Sequence, residues 1–237
     1  MVSGWAILRT ALFVMPLGAL VSALFGVLSL VVCLLDGKGR QAWRLARLWA
    51  RLLLRITGVR VKVDGADKIA PGSSYVLVAN HASRIDFLYL LAHIPHPVRF
   101  LIDKRHFAIP ILGFYLRRAG HLAISSATAR EALETITQAA RKIAERGVAV
   151  IVFASAGPGR GSLPFRDGAA YLAIRAGVPL VSVALRGAER VLPPGSWAVR
   201  NAEVRIDVGD PIPTLDLRLE DRARLSESVR ASLAGVR

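Results

Sequence analysis

The sequence predicts an α/β fold: a mixed, largely parallel sheet flanked by helices, preceded by an N-terminal membrane helix or helical hairpin. Three observations carry this. Thr10 to Leu35 is a run of 26 residues without a charge, and a helix needs only about 20 residues to cross the hydrocarbon core. After residue 58, short apolar runs alternate with stretches of helical period, the pattern of β-α-β units. Glycines and prolines punctuate those stretches where a strand or helix should stop.

Taken in order, Pro16, Gly18 and Gly26 interrupt the N-terminal run, which leaves open one spanning helix or two helices dipping into a single leaflet. A cleaved export signal fits less well. Its apolar region is about 7 to 15 residues, followed by small residues, whereas Val31, Val32, Leu34 and Leu35 run straight into Asp36. Arg40, Arg44, Arg47, Arg51 and Arg55 then recur every three or four residues, one stripe of a helix, with Leu45, Leu48, Trp49, Leu52 and Leu53 on the remainder. Such a helix suits an anionic membrane surface, with Trp43 and Trp49 at the boundary, or else it is a surface helix of the following domain. Val59 to Val63 and Tyr75 to Ala79 read as strands. Thr128 to Arg146 reads as a helix, with Thr128 and Glu131 as a capping box, Leu133, Ile136, Ala140 and Ile143 as its apolar face and Gly147 as its stop. A strand over Val148 to Phe153, a helix over Phe165 to Ala176, a strand over Val178 to Leu185, a strand over Ala202 to Val208 and a helix over Leu219 to Val236 complete the chain. Composition changes near residue 58, which divides a membrane element (1–58) from a catalytic domain (59–237).

The net charge of +15 is unevenly placed. Residues 1 to 60 hold eight cations against Asp36 alone, a net +7 beside the apolar run. That asymmetry favours a membrane surface, and it places the following domain on the cytoplasmic side. Nucleic-acid binding would require stacking aromatics, and only 7% of residues are aromatic. The single cysteine, Cys33, allows no internal disulfide and suggests no thiol site.

Chemistry gathers after the strand ending at Ala79. Asn80-His81-Ala82-Ser83-Arg84-Ile85-Asp86 sets a histidine and an aspartate five residues apart at a strand-to-helix turn. Neutral imidazole is a competent base near pH 7, and a carboxylate on its other nitrogen fixes the tautomer. The pair could take a proton from a hydroxyl. A helix cap and a satisfied loop histidine are the plainer reading of the same spacing.

The run Asn80-His81 to Asp86 resembles the first motif, Asn-His-x-x-x-x-Asp, of the PlsC-like 1-acyl-glycerol-3-phosphate and lysophospholipid acyltransferases. Lys104 to Gly113 with Arg118-Ala119-Gly120 is similar to the second motif region. Leu163 to Ala170 is similar to the stretch after the third motif, Gly177-Val178-Pro179-Leu180-Val181 to the fourth, and Gly187 with Arg190-Val191-Leu192-Pro193 to the next turn. The matches run in order from about residue 59 to 212. The resemblance implies transfer of a fatty acyl group from acyl carrier protein or acyl-coenzyme A to a lysolipid hydroxyl in phospholipid biosynthesis, with no metal and no cofactor, at the cytoplasmic side of the inner membrane. It implies His81 as general base and Asp86 as its orienter. Asn80, Ser83, Arg84, Lys104, Ser155, Gly157 and Arg160 are the implied substrate-binding residues, Lys104 also as an oxyanion donor.

Two stretches depart from the pattern. Where the family carries Phe-Pro-Glu-Gly-Thr-Arg, this chain reads Phe153-Ala154-Ser155-Ala156-Gly157-Pro158-Gly159-Arg160, without the glutamate. Where the second motif ends Ile-Asp-Arg, Ile124-Ser125-Ser126 stands. Because those basic residues are associated with the acceptor's phosphate, another lysolipid, such as lyso-ornithine lipid, is an alternative acceptor, and a non-catalytic membrane protein of the same fold is the other alternative. A serine hydrolase built on Ser155 would need a later histidine. All five histidines (His81, His93, His96, His106, His121) precede it. His93 and His96 flank Pro95 without a carboxylate cluster, and read as loop residues rather than metal ligands.

Overall fold

The computed structural model describes residues 4–36, 39–125, 128–146, 148–154 and 167–235. At its centre is a seven-stranded sheet, β1 (Arg60–Asp64), β2 (Tyr75–Ala79), β3 (Val98–Asp103), β4 (Leu122–Ile124), β5 (Ala149–Phe153), β6 (Leu180–Arg186) and β7 (Glu203–Val208), in the order β1-β7-β6-β2-β5-β3-β4. Every neighbouring pair is parallel except β6–β7, so the expected mixed, largely parallel sheet is present. β2 and β5 are buried along nearly their whole length, as strands with both faces covered must be.

The pleat sends alternate side chains into two cores. Tyr75, Leu77, Ala79, Ile151, Val181 and Val183 face one of them; Val76, Val78, Val150, Val152 and Leu180 face the other. The first is closed by α3 (Arg40–Thr57) and α4 (Asp86–His93), the second by α7 (Ala129–Arg146), α8 (Gly168–Ala176) and α10 (Arg222–Gly235). Short helices α5 (Lys104–Phe107), α6 (Pro110–Arg118) and α9 (Ala188–Val191) link strands.

The N-terminal run forms one continuous helix, Gly4–Leu35, made of α1 (Gly4–Arg9), a π turn (Thr10–Val14) and α2 (Met15–Leu35). Pro16 follows closely on the π turn, so its missing N–H falls where the helix already departs from α geometry. α3 returns antiparallel to α2: Trp49 Nε1 donates to Ser22 Oγ at 3.1 Å, and Leu53 lies against Gly18. Asp36 Oδ2 caps the return helix by accepting from the backbone N–H groups of Gln41 (2.6 Å) and Ala42 (2.9 Å). The hairpin is fastened to the sheet domain. Arg118 donates to the carbonyls of Cys33 (2.6 Å) and Leu34 (2.9 Å), and the buried Arg99 donates to Gly39 O at 2.8 Å. Gly39 has φ 67°, and a Cβ there would sit 2.7 Å from Ala119 O, so only glycine fits this junction.

Three differences from expectation have simple causes. The compositional boundary near residue 58 is no break in packing, because Ala46, Ala50 and Leu54 of α3 belong to the same core as the sheet. β3 and β4 lie beyond the expected strands: β3 carries Arg99 at an interior position, tolerated because its guanidinium bonds Val98 O and Gly39 O, and β4 has only three residues. The last helix starts later, a 3₁₀ turn occupying Leu219–Asp221 before α10.

His121 gives the fold a pH dependence. Its Nδ1 accepts the Phe100 N–H at 3.1 Å, and burial, followed by the nearby Arg99 charge, pushes its pKa down to about 3. The folded chain keeps this imidazole neutral where the unfolded chain, titrating at 6.5, binds a proton. Its contribution is therefore intact above pH 6.5 and is lost as pH falls from 6.5 toward 3, at no more than about 1.4 kcal/mol per pH unit. Thermal denaturation at about pH 7.5 and about pH 5 should show a smaller loss on acidification in His121→Asn than in the wild type; an unchanged pH slope would remove His121 as a source.

Candidate active site

β2 supplies the start of the site. Its last residue, Ala79, stands level with Val183 on one side and Phe153 on the other. Asn80 then locks the strand end, its Nδ2 donating to Leu185 O at 2.8 Å and its Oδ1 accepting from Leu185 N at 2.6 Å. Both ends of this amide are committed to β6, so Asn80 fixes where the next residue emerges.

That residue is His81. Its Nδ1 lies 2.9 Å from Asp86 Oδ2, and the carboxylate makes Nδ1 the donor and leaves Nε2 with the lone pair. The same Oδ2 accepts from the backbone N–H groups of Ala82 (2.7 Å) and Ser83 (2.8 Å). Asp86 is the first residue of α4, where the helix dipole favours negative charge. Its side chain has no exposed surface, while that of His81 is 20% exposed. Burial pushes the Asp86 carboxyl above its ordinary value, opposed by the bonds from His81, Ser83 and Ala82. Asp86 Oδ1 and the Tyr89 hydroxyl, one helical turn on, are buried without a partner among the described residues. Burial, and then the Asp86 charge, holds the Tyr89 phenol protonated far above its usual range.

The imidazole plane is set by Phe153, whose ring stacks on it with centroids 4.3 Å apart at 22°. A series of rings continues inward: Phe153 to Phe100 at 6.5 Å, Phe100 to Phe87 at 6.5 Å, and Phe87 to Trp49 at 6.3 Å. It ends at an apolar cavity of about 270 Å³ lined by Trp49, Phe87, Phe100, Leu112, Tyr115 and His121, among others. Of these six residues only Leu112 falls inside a motif stretch, Lys104 to Gly113. Phe87, adjacent to Asp86, and the aromatic pair Trp43 and Trp49 on the basic helix were the available signals.

The other implied substrate-binding residues fall into three groups. Ser83 is buried and donates through Oγ to Leu192 O at 3.2 Å, and Arg84 Nη2 donates to Ser196 O at 2.7 Å; both tie the His81–Asp86 turn to the segment after α9. Lys104, which follows β3, donates to Glu131, whose carboxylate also accepts from Ser125 Oγ at 2.7 Å. The Lys104 contact, followed by the Ser125 bond, holds the Glu131 carboxyl below its usual range. Ser155, Gly157 and Arg160 lie outside the described residues. Up to that point the chain follows the sheet: Ala154 N donates to Ala79 O at 2.8 Å, which carries the β2–β5 ladder one residue past Phe153.

His93 closes α4 instead of lying in a loop, with Nδ1 3.0 Å from Tyr89 O, while His96 is buried in the α4–β3 connection. Among the described residues no three His, Cys, Asp or Glu side chains are grouped to hold a metal ion.

Comparison with known proteins places this geometry. Residues 60–186 match the family model described as Acyltransferase. The chain is 26% identical over 212 residues to 1-acyl-sn-glycerol-3-phosphate acyltransferase alpha of Ovis aries, covering 89% of this chain and 74% of that protein. It is also 26% identical over 228 residues to 1-acyl-sn-glycerol-3-phosphate acyltransferase of Saccharomyces cerevisiae, covering 94% and 74%. In fold it is similar to the crystal structure of the 1-acyl-sn-glycerophosphate (LPA) acyltransferase PlsC from Thermotoga maritima, with a TM-score of 0.73 at 21% identity over 98% of this chain and 97% of that one. The matched span contains the His81–Asp86 turn and six of the seven strands, and the chain belongs to the Acyltransferase family.

Proposed function

We propose that this enzyme transfers a fatty acyl group from acyl carrier protein or acyl-coenzyme A to the free hydroxyl of 1-acyl-glycerol-3-phosphate, at the cytoplasmic face of the inner membrane. The observation that carries the reading is the His81–Asp86 pair, with Nδ1 held by a buried carboxylate and Nε2 left as a base, at the head of aromatic rings leading to an apolar cavity. The acceptor oxygen attacks the thioester carbonyl while its proton passes to Nε2. The imidazolium so formed is stabilised by Asp86. Collapse of the tetrahedral intermediate breaks the C–S bond, and the departing thiolate takes the proton back from Nε2. The acyl chain itself would lie along the rings, in the cavity. No resident metal or cofactor enters this scheme. The names of the relatives support the acceptor, and the basic surface suits donors that are acidic or carry phosphates.

The hairpin supports a monotopic attachment. The continuous N-terminal helix presents Leu12, Phe13, Leu20, Leu24, Val31 and Leu34 outward. The antiparallel α3 carries exposed Arg40, Arg44, Arg51 and Arg55 beside it. A helix crossing the bilayer would draw those arginines into the hydrocarbon, at about 2.5 to 3.5 kcal/mol for each one at the centre on insertion scales. Lying in one leaflet buries the leucines and leaves the arginines at the phosphates.

A second acceptor reading rests on Glu131. Ser125, one residue before the position where the family pattern ends in arginine, donates to the Glu131 carboxylate, which also accepts from Lys104, an arrangement that favours a lysolipid whose headgroup is not a phosphate monoester.

Acyl transfer by vesicle-bound protein from labelled acyl carrier protein and acyl-coenzyme A tests the chemistry. His81→Ala should lower kcat by about 10³-fold while remaining on the vesicles; transfer within about tenfold of the wild type would sink the general-base role. Product from lysophosphatidic acid supports the first acceptor, and product only from another lysolipid supports the second. For attachment, Leu20→Glu with Leu24→Glu should shift the protein from the vesicle pellet to the supernatant without lowering Tm, and unchanged co-sedimentation would place the membrane contact elsewhere.

A further inference from the structure

Thr10 and Arg9 stand out from the helix that carries them. Most large side chains of that helix are exposed, yet Thr10 has no exposed surface, and the helix departs from α geometry to a π turn beginning at this residue. Such turns are rare and gather at functional sites. The Thr10 hydroxyl donates to Ala6 O at 2.6 Å and accepts the Val199 N–H at 3.0 Å. Arg9 Nη2 donates to Val199 O at 3.0 Å, and its Nη1 donates to Thr57 O at 3.0 Å. Both backbone polar groups of Val199, a residue outside any strand or helix, are thus held by two consecutive residues from the opposite end of the sequence.

The segment held in this way also holds the catalytic turn. Arg200 N donates to Val191 O at 2.8 Å, closing the segment into a loop. Within it, Leu192 O accepts from Ser83 Oγ at 3.2 Å and Ser196 O accepts from Arg84 Nη2 at 2.7 Å. Ser83 in turn donates its N–H to Asp86 Oδ2, the atom that orients His81. The contacts form an unbroken path from the N-terminal helix, through 191–200, to the general base.

We infer that Arg9 and Thr10 are positioning residues for the His81–Asp86 pair, acting through the 191–200 loop. The inference rests on the acyltransfer reading above. It makes the helix that meets the lipid a working part of the active site as well as an anchor. A shift of the turn by about 1 Å suffices to cost up to about 10²-fold in rate, and the loop is the only polar brace on Ser83 Oγ and the Arg84 guanidinium among the described contacts.

The test is steady-state transfer by full-length protein on phosphatidylethanolamine–phosphatidylglycerol vesicles. Thr10→Val keeps the side-chain shape but removes the acceptor for Val199 N–H. It should lower kcat by about tenfold or more, with KM for the acyl donor and vesicle co-sedimentation unchanged, and Thr10→Ser should restore kcat. A mere anchor predicts the opposite, namely weaker co-sedimentation at normal kcat on the bound fraction. Ser83→Ala removes the Oγ donor to Leu192 O and keeps the backbone N–H to Asp86 Oδ2, cutting the path at its other end, so it serves even where Thr10→Val folds poorly, and it should show the same loss of kcat. The double variant should be no slower than the slower single one, because both break one path. Normal kcat in both single variants, or losses that multiply in the double, would overturn the inference. A wild type that transfers to no acceptor overturns the acyltransfer reading instead, and this inference with it.

Discussion

A carboxylate with no exposed surface has to be held from inside the protein, and the architecture around His81 follows from how Asp86 is held. Desolvation of an unpaired carboxylate is costly. Here one oxygen collects the imidazole Nδ1–H and two backbone N–H groups, all within 2.9 Å. Those two amides belong to the residues immediately after His81, so the chain must curl tightly between β2 and α4, and α4 must begin at Asp86 itself. The five-residue spacing of the pair is the length of that curl. Once it is formed, the only freedom left to the imidazole is rotation of its plane, and stacking on Phe153 removes that.

The hairpin is the second constraint. Its return helix presents arginines outward while Ala42, Ala46, Ala50 and Leu54 are buried beneath it, the last three in the sheet's core. The three alanines allow close approach to α4 and α2. Arg47 and Arg51 complete the junction, each donating through Nε to Ala92 O near the end of α4, at 3.2 and 3.1 Å. Arginines that read as a uniform lipid-facing stripe are therefore of two kinds. Some face solvent, and Arg47 and Arg51 also bond the domain beneath them.

What was legible in the sequence follows the strength of the local signal. β2, β5 and β6 were visible as apolar runs because at least four consecutive residues of each are buried, and β7 was visible because its burial alternates strictly over its first four residues. β3 was not, since Arg99 interrupts it and is satisfied by a carbonyl 60 residues earlier, a partner that no local window contains. The His81–Asp86 pair was legible because its spacing is local. The ring series was not, because Trp49, Phe87, Phe100 and Phe153 come from four different elements and meet only through sheet order. Lys104 was named for its charge, but its partner Glu131 comes 27 residues later, on a helix of the opposite face.

The reversed pair near the sheet's edge has a consequence for how the molecule is oriented. β7 runs against β6, and β1 runs with β7, so β1 starts at the same edge where β2 and β6 end. Arg60 pairs with Glu203 there, close to the turn that Asn80 ties to Leu185. Chain leaving α3 must therefore enter the sheet on the side that carries His81. An all-parallel sheet would have delivered it to the far side, with the length of the strands between the hairpin's last turn and His81. In this topology the direction the active site faces is settled by the sense of one strand pair, and no rearrangement of surface loops could reverse it.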